Sequence, residues 1–570
     1  MSVTKLKKTI VCKRNEPVVM RDGVILYADI YRPNDTVSYP ILLMRTPYNK
    51  EDAQTMNFAH PSWFAQHGYV VIVQDARGRW TSEGKFEPFV YEGPDGYDTI
   101  EWAVTLPNII PKVGLYGFSY VGFSQLLVAQ TKPPHLACIA PFMCGSKKLQ
   151  SSDNGAFPLA QNLSWTLFVS QNAAVRQNDR QWQQQLAMTS LQQLYNFLPL
   201  HEVPLIKKEL APFYERWIKD EQQLPSTMDD FYENITVPAL HLGGWYDIYI
   251  QQTFENFNGI RAESSSPKAR EHQYLYVTPW YHMPWSRFVG EIDFGEQATN
   301  QVDELLLKWF NTWLKEEKQW SEEPVQLFIT GENKWISEKQ WPLPHTKLEY
   351  FYFNSKGRAN SLNGTGILSE QRPKGLSDYD VYVYHPSIAV PSIGGRSGPD
   401  PVSAPMGPKN QIPIEIRNDV LVYTTEILQE DVFIVGEVIA YLYASSTAED
   451  TDFAIKLIDV YPDGRSINIA EGLIRASARE AGGNRKPLVP NEIYHFEIKA
   501  GSAAHVFKKG HAIRVNVTSS LFPTYDRNPN SLLPKHKVTE QSFQTATQTI
   551  YHNEQYASCI ALPIYKEEIN

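Results

Sequence analysis

Between residues 41 and 142, short and continuously apolar runs alternate with segments of helical period. Fully apolar strands are expected where helices cover both faces of a parallel sheet. The pattern therefore predicts a doubly wound α/β fold. The predicted strands are 41–44, 69–73, 113–116 and 136–142, and the predicted helices lie near 58–67, over 95–104 and over 120–129.

The pattern changes between residues 146 and 237. Glutamine and aromatic residues become frequent, strand patterns disappear, and amphipathic stretches at 184–197 and 205–217 predict helices. We interpret this insertion as a helical cap over an active site; the alternative is a packed helical subdomain without contact to substrate. Strand patterns resume at 237–242 and 273–277, before an amphipathic helix at 302–315 whose apolar face we assign to the core.

Beyond residue 326 the helical period gives way to alternating apolar and polar positions, as at 347–353, 432–443 and 453–460. This period is typical of half-buried strands, and the Tyr-Pro-Asp-Gly sequence at 461–464 predicts a tight turn between two of them. A β-sandwich or jelly roll is the predicted fold. The domains we expect are an α/β core at 1–145 and 238–325, a cap at 146–237 and a β-domain at 326–570.

Composition narrows the class of protein. The net charge of −10 is spread along 570 residues without a long basic run, which argues against nucleic acid or an anionic membrane as the main partner. No apolar stretch is long enough to cross a bilayer, and the N-terminus lacks the apolar core of a signal peptide. The four cysteines have no metal-type spacing, so we expect a cytoplasmic protein.

A candidate nucleophile stands at the turn between the strand at 113–116 and the helix that follows. Gly117 precedes Ser119 by two residues, as in the strand–turn–helix elbow of α/β-hydrolases, G-x-S-x-G. Val121 occupies the second glycine position, and Gly122 comes one residue later. The alternative is an ordinary turn, in which serine and glycine are common.

A general base and an orienting acid follow in the order that this fold requires. Asp247 comes after the predicted strand at 237–242, and His282 after the one at 273–277. Side chains at the carboxyl ends of parallel strands meet at one edge of the sheet, so Ser119, Asp247 and His282 form the predicted triad. The alternative acids, Asp230 and Glu255, do not directly follow a predicted strand.

The predicted oxyanion hole combines a side chain with a backbone group. Tyr48 follows the strand at 41–44, where a neutral phenol could donate to a developing oxyanion beside the backbone N–H of Tyr120. The alternative for Tyr48 is a buried tyrosine bonded to a carbonyl.

The motifs together resemble the CocE/NonD hydrolases, which include cocaine esterase-like enzymes, α-amino-acid ester hydrolases, glutaryl-cephalosporin acylases and X-prolyl dipeptidyl-peptidases. The resemblance implies an α/β-hydrolase core, an inserted helical cap and a C-terminal jelly roll. It also implies the triad and oxyanion donors named above, pocket walls at Trp165 and Tyr249, and a loop after Arg396 that faces the pocket. The segments that carry it are Arg45–Tyr48, Asp75–Gly78, Gly117–Gly122, Gly244–Asp247, Pro279–His282, Gly394–Arg396, Asp419–Thr424 and Asp450–Phe453.

These observations predict a serine hydrolase that cleaves a carboxylic ester through an acyl-enzyme, with no metal and no organic cofactor. An amidase or dipeptidyl-peptidase using the same triad is the first alternative. A non-catalytic protein of this fold, whose jelly roll binds carbohydrate or another partner, is the second. The expected partner is a small-molecule ester or amide, and the sequence leaves open whether the chain forms a homo-oligomer.

Overall fold

The computed structural model describes residues 8–147, 154–219, 230–317, 319–396, 402–480 and 485–566. Its strands are β1 (Ile10–Val19), β2 (Ile25–Pro33), β3 (Tyr39–Thr46), β4 (Val70–Asp75), β5 (Ile109–Phe118), β6 (Leu136–Phe142), β7 (Ala239–Tyr246), β8 (Gln273–Tyr281), β9 (Phe288–Val289), β10 (Ile292–Asp293), β11 (Val325–Ile329), β12 (Lys334–Glu338), β13 (Thr346–Asn354), β14 (Ile367–Ser369), β15 (Tyr379–Tyr384), β16 (Leu421–Thr424), β17 (Val432–Ser446), β18 (Asp452–Val460), β19 (Ser466–Arg475), β20 (Tyr494–Phe507), β21 (Ala512–Thr518), β22 (Ala546–Tyr551) and β23 (Cys559–Tyr565). Its α-helices are α1 (Pro61–Gln66), α2 (Glu92–Ala103), α3 (Tyr120–Ala129), α4 (Leu159–Arg176), α5 (Arg180–Met188), α6 (Leu191–Asn196), α7 (Pro212–Ile218), α8 (Ile250–Glu263), α9 (Pro267–Glu271), α10 (Val302–Lys315) and α11 (Ile412–Glu415).

The first sheet has the order β1-β2-β4-β3-β5-β6-β7-β8-β11-β12. Neighbours from β4 through β11 are parallel, whereas β1, β2 and β12 are joined antiparallel at the two edges. The predicted α/β class is confirmed. The sheet continues to Glu338, past the expected division at 325/326, because β11 pairs with β8 and β12 folds back on β11.

Helices cover both faces of this sheet, which explains the continuously apolar strands. Neighbouring β3 residues Leu42 and Leu43 point into two separate cores. The helices α1 and α10 contribute to one core, and α2 and α3 to the other. On α10, Leu306 and Phe310 are fully buried, as its apolar face predicts. With both faces covered, the carboxyl edge of the sheet is left for a site.

Between β6 and β7 the chain forms the helices α4 to α7, which share one core that Ala404 and Phe522 of the C-terminal domain also join. The stretch predicted as helical at 184–197 divides into α5 and α6. It divides because Thr189 is extended and Ser190 begins a new helix, its side chain accepting from the backbone N–H of Gln193. In the stretch at 205–217 the helix begins only at Pro212, a residue suited to a first helical turn.

The C-terminal strands wrap around one large hydrophobic core, as the alternating pattern predicts. Within the described residues they form one sheet of eleven strands, in which β17 pairs with β20, β22 and β23. The predicted tight turn joins β18 to β19, with the N–H of Gly464 donating to the carbonyl of Tyr461 over 2.9 Å. No helix in the described part of the chain is both long and apolar enough to span a bilayer.

Candidate active site

Ser119 is the single residue between the end of β5 and the start of α3, and its backbone is strained. Its φ is 62° and its ψ is −127°. Such angles cost a residue with a side chain about 1–3 kcal/mol and persist only where the surroundings impose them. The turn lifts the Ser119 side chain above the carboxyl edge of the sheet, as a nucleophile elbow requires.

Hydrogen bonds to the backbone of Phe118 and of Ser119 itself hold this turn. The Gln54 side chain accepts from the backbone N–H of Phe118 over 3.1 Å and donates to its carbonyl over 3.0 Å. The N–H of Ser119 donates to the carbonyl of Phe142 at 3.0 Å. Sequence reasoning missed Gln54, because it lies in a loop far from the elbow and belongs to no motif.

The glycines of the elbow are explained by close packing. A Cβ at Gly117, whose φ is 135°, would lie 2.2 Å from a methyl carbon of Val121. A Cβ at Gly122 would lie 2.7 Å from the carbonyl oxygen of Phe142 and 2.8 Å from Cβ of Cys144. Helix α3 thus lies against the end of β6 at Gly122, so the position that must stay without a side chain is Gly122 rather than Val121.

The structure brings Ser119, His282 and Asp247 into one hydrogen-bonded chain. Nε2 of His282 lies 2.9 Å from Oγ of Ser119, and Nδ1 lies 2.6 Å from Oδ2 of Asp247. Since a carboxylate can only accept, Nδ1 carries the hydrogen and Nε2 is free to accept the serine proton. The alternative acids lie elsewhere: Asp230 is exposed, and Glu255 accepts from the hydroxyl of Ser146.

The loop that carries Asp247 is held from the C-terminal domain. The Arg396 guanidinium donates to the carbonyls of Trp245, Ala500 and Ser502 over 3.0, 3.0 and 2.6 Å. The first of these carbonyls is two residues before Asp247, so a side chain of the β-domain supports the segment that carries this aspartate. The loop after Arg396, expected to face the pocket, lies at 397–401 and outside the described residues.

The Tyr48 hydroxyl accepts a hydrogen bond from Nε1 of Trp165 at 2.9 Å. Burial raises the pKa of Tyr48 to about 12, and hydrogen bonds with Trp165 and Ser119 act in the opposite direction. The phenol is therefore neutral and keeps its hydrogen at physiological pH. Because an indole N–H can only donate, the hydrogen of Tyr48 must point away from Trp165.

Tyr120 is the first residue of α3, where backbone N–H groups have no acceptor within the helix. Its side chain points away from Ser119 into a buried network, in which its hydroxyl donates to Oε1 of Glu92 over 2.8 Å and accepts from the N–H of Phe89 over 3.1 Å. Its ring stacks against that of Trp165 with centroids 6.1 Å apart. One cap residue therefore contacts both residues predicted to form the oxyanion hole.

One face of α4 reaches the site. Gln161, Trp165 and Phe168 are spaced four and three residues apart, so they lie on the same side of the helix. Gln161 donates to the hydroxyl of Tyr249 over 3.2 Å, and the ring of Tyr249 packs edge-on against His282 with centroids 5.5 Å apart. The predicted pocket residues Trp165 and Tyr249 are both here. Gln161 and Phe168 were missed, although their helical spacing from Trp165 could have indicated them.

Two family models match this chain. Residues 22–284 match the model described as X-Pro dipeptidyl-peptidase (S15 family), and residues 318–561 match its C-terminal non-catalytic domain. The chain is also 33% identical to cocaine esterase from Rhodococcus sp. (strain MB1 Bresler), over 97% of this chain and 98% of that protein. The chain belongs to the CocE/NonD hydrolases.

Two solved structures show the same fold as this CocE/NonD chain. An aminopeptidase from a marine-sediment Thaumarchaeota archaeon has a TM-score of 0.81 at 24% identity, covering 98% of this chain and 97% of that one. An α-amino acid ester hydrolase has a TM-score of 0.75 at 24% identity, covering 99% and 98%. The predicted resemblance is confirmed, and the protein is a serine hydrolase acting on ester or peptide-like bonds.

Gly122 should be intolerant of a side chain in this member of the CocE/NonD family. For Gly122→Ala we expect a loss of about 1–3 kcal/mol of stability, because the methyl group forces α3 away from β6. Thermal unfolding followed by circular dichroism measures this. Ser124→Ala is the control: it removes a hydroxyl bonded within the same helix without adding an atom, and the higher helix propensity of alanine offsets part of this loss, so we expect a change below about 1 kcal/mol. Equal unfolding temperatures for the two variants would contradict the packing explanation.

Proposed function

We propose that this protein hydrolyses carboxylic esters through an acyl-enzyme on Ser119. The observation that carries the proposal is the hydrogen-bonded chain from Ser119 through His282 to Asp247, which begins at a strained elbow. The identity to a protein named as an esterase supports an ester as the substrate.

The proposed reaction has two halves, and His282 takes up and gives back one proton in each. His282 takes the proton of Ser119 as the serine oxygen attacks the ester carbonyl, and Asp247 stabilises the imidazolium that results. His282 then gives this proton to the leaving alcohol. In the second half it takes a proton from water, whose oxygen attacks the acyl-enzyme, and returns that proton to Ser119 as the acid leaves.

The negative oxygen of each tetrahedral intermediate would be stabilised by the Tyr48 hydroxyl and the Tyr120 N–H. The hydrogen bond from Trp165 supports this role for Tyr48, because it occupies the phenol oxygen as an acceptor and leaves its hydrogen to be donated. We therefore assign Trp165 to positioning Tyr48 as well as to the pocket.

A peptide-like amide is the second candidate substrate, and the S15 family match favours it. The same triad can cleave either bond, but an amine is a poorer leaving group than an alcohol. A matched aryl ester and aryl amide of the same acyl group separate the two candidates. An amide turned over at least as fast as its ester would favour the peptidase.

Replacing Ser119 by Ala should remove turnover and leave the fold intact. We expect a loss of kcat of about ten-thousandfold or more, since the nucleophile of such a triad acts as a unit with its base. Hydrolysis of short p-nitrophenyl esters measures the loss, and circular dichroism checks the fold. An aryl phosphonate should label the wild type on Ser119 and leave the variant unlabelled. Undiminished turnover by the folded variant would refute the proposal.

Tyr48→Phe should lower kcat by about a hundred- to a thousandfold, because one oxyanion donor is lost. The pKa of Tyr48 lies near 12, above its ordinary value. A phenol stops donating when it ionises, so the wild-type advantage should be present below this pKa and disappear above it.

The ratio of wild-type to Tyr48→Phe kcat/KM should therefore stay constant from about pH 7 to about pH 10, since a phenol with its ordinary pKa near 10 would already be losing its proton there. The ratio is measured with one ester across this range. A ratio that falls steadily above about pH 9 would show that the phenol titrates normally. A variant that changes KM and leaves kcat unaltered would contradict the assignment of Tyr48 to the oxyanion hole.

A further inference from the structure

The hydrogen bond between Gln161 and Tyr249 leaves polar groups of both side chains unused. Nε2 of Gln161 donates to the Tyr249 hydroxyl, which makes no other hydrogen bond within the described residues. Oε1 of Gln161 is buried and has no partner in the same part of the chain. This Gln161–Tyr249 pair therefore offers one free donor, the phenolic hydrogen, and one free acceptor, the amide oxygen.

The conclusion does not depend on how the Gln161 amide is oriented. If the amide is turned over, the Tyr249 hydroxyl donates to Oε1, and the amide N–H and the phenol oxygen become the free donor and acceptor. Either orientation presents a matched donor and acceptor side by side. Buried polar groups left without partners cost about 1–3 kcal/mol each, so a ligand that satisfies both is favoured over an apolar one.

The pair lies within the site and beside the reacting groups. Gln161 is one helical turn before Trp165, a displacement of about 6 Å along α4. Trp165 contacts the Tyr48 hydroxyl, whereas the ring of Tyr249 packs on His282. A substrate whose carbonyl oxygen reaches Tyr48 would thus have its acyl group beside the Gln161–Tyr249 pair, one turn of α4 away.

We propose that the Gln161–Tyr249 pair selects substrates whose acyl part carries a neutral group able both to donate and to accept a hydrogen bond, a hydroxyl or a carboxamide. This inference rests on the proposed function. It adds a preference that an aromatic pocket wall alone would not produce.

The pair also indicates the charge of that group. The Gln161 amide carries no charge. Burial raises the pKa of the Tyr249 phenol above its ordinary value, so the phenol is neutral as well. Neither side chain can therefore neutralise an ammonium or a carboxylate. An ionised substituent would lose its hydration there without gaining an ion pair, so a neutral polar group is the better match.

Matched esters test this preference. The p-nitrophenyl ester of phenylacetate is compared with those of 3-hydroxyphenylacetate, 4-hydroxyphenylacetate and 4-carbamoylphenylacetate. For each substituted ester, kcat/KM is divided by that of the plain ester in the wild type, in Tyr249→Phe and in Gln161→Leu. Differences in the intrinsic reactivity of the esters cancel, because the ratio for each ester is compared between the wild type and the variants. Comparing the hydroxyl esters with the carboxamide ester shows which of these two groups the Gln161–Tyr249 pair prefers.

We expect at least one substituted ester to be favoured in the wild type, and its preference to fall about tenfold in each variant, the size of one hydrogen bond. Phe168→Leu is the matched control: it changes an apolar side chain of the same helical face and should alter all four esters alike. Substrate ratios that are the same in Tyr249→Phe, Gln161→Leu and the wild type would overturn the inference, provided that turnover still depends on Ser119. Turnover independent of Ser119 would instead refute the proposed function.

Discussion

The site depends on one backbone conformation, the positive φ of Ser119. A serine gains nothing locally from these angles, so the cost must be offset by its neighbours. Gln54 holds both backbone groups of the preceding residue, and the carbonyl of Phe142 holds the N–H of Ser119 itself. The close contact of α3 with Phe142 and Cys144 at Gly122 holds the start of the helix against the end of β6. Strand, helix and loop together keep the hydroxyl within reach of His282.

The cap takes part in the site rather than only covering it. One face of α4 supplies Trp165 to the Tyr48 hydroxyl, Gln161 to Tyr249, and Phe168 to the Tyr48 ring at a centroid distance of 5.5 Å. These contacts disfavour the alternative of a helical subdomain remote from the site. A shift of α4 along its axis would disturb both the proposed oxyanion donor Tyr48 and the proposed recognition pair Gln161–Tyr249.

The C-terminal domain also contacts the segment that carries Asp247. Arg396 connects the carbonyl of Trp245 to two carbonyls of the β-domain, and the hydroxyl of Tyr246 donates to the carbonyl of Asn468 over 3.3 Å. Both contacts lie within two residues of Asp247. The acid's loop thus rests on a second domain, which gives the family's non-catalytic domain a structural part in positioning Asp247.

The sequence by itself determined the fold class and the three residues of the hydrogen-bonded chain. Apolar runs identify strands wherever both faces of a sheet are buried, and polar residues directly after those runs must meet at its carboxyl edge. For this reason Ser119, Asp247 and His282 could be named before their distances were known. Val121 departs from the usual motif, and the sequence does not reveal that Gly122 is the residue of α3 that contacts the end of β6.

Only the tertiary structure decided the contacts between elements that are remote along the chain. Gln54, Gln161 and Arg396 act through partners at least 64 residues away. No local period or spacing encodes such a partner, since each contact exists only after two independently folded elements pack together. Trp165, which the family resemblance implies as a pocket wall, also directs its indole N–H at Tyr48, a contact that the sequence did not indicate. Helix ends within the cap depended on the capping side chain of Ser190 and on Pro212 at the first position of α7, which an amphipathic period does not resolve.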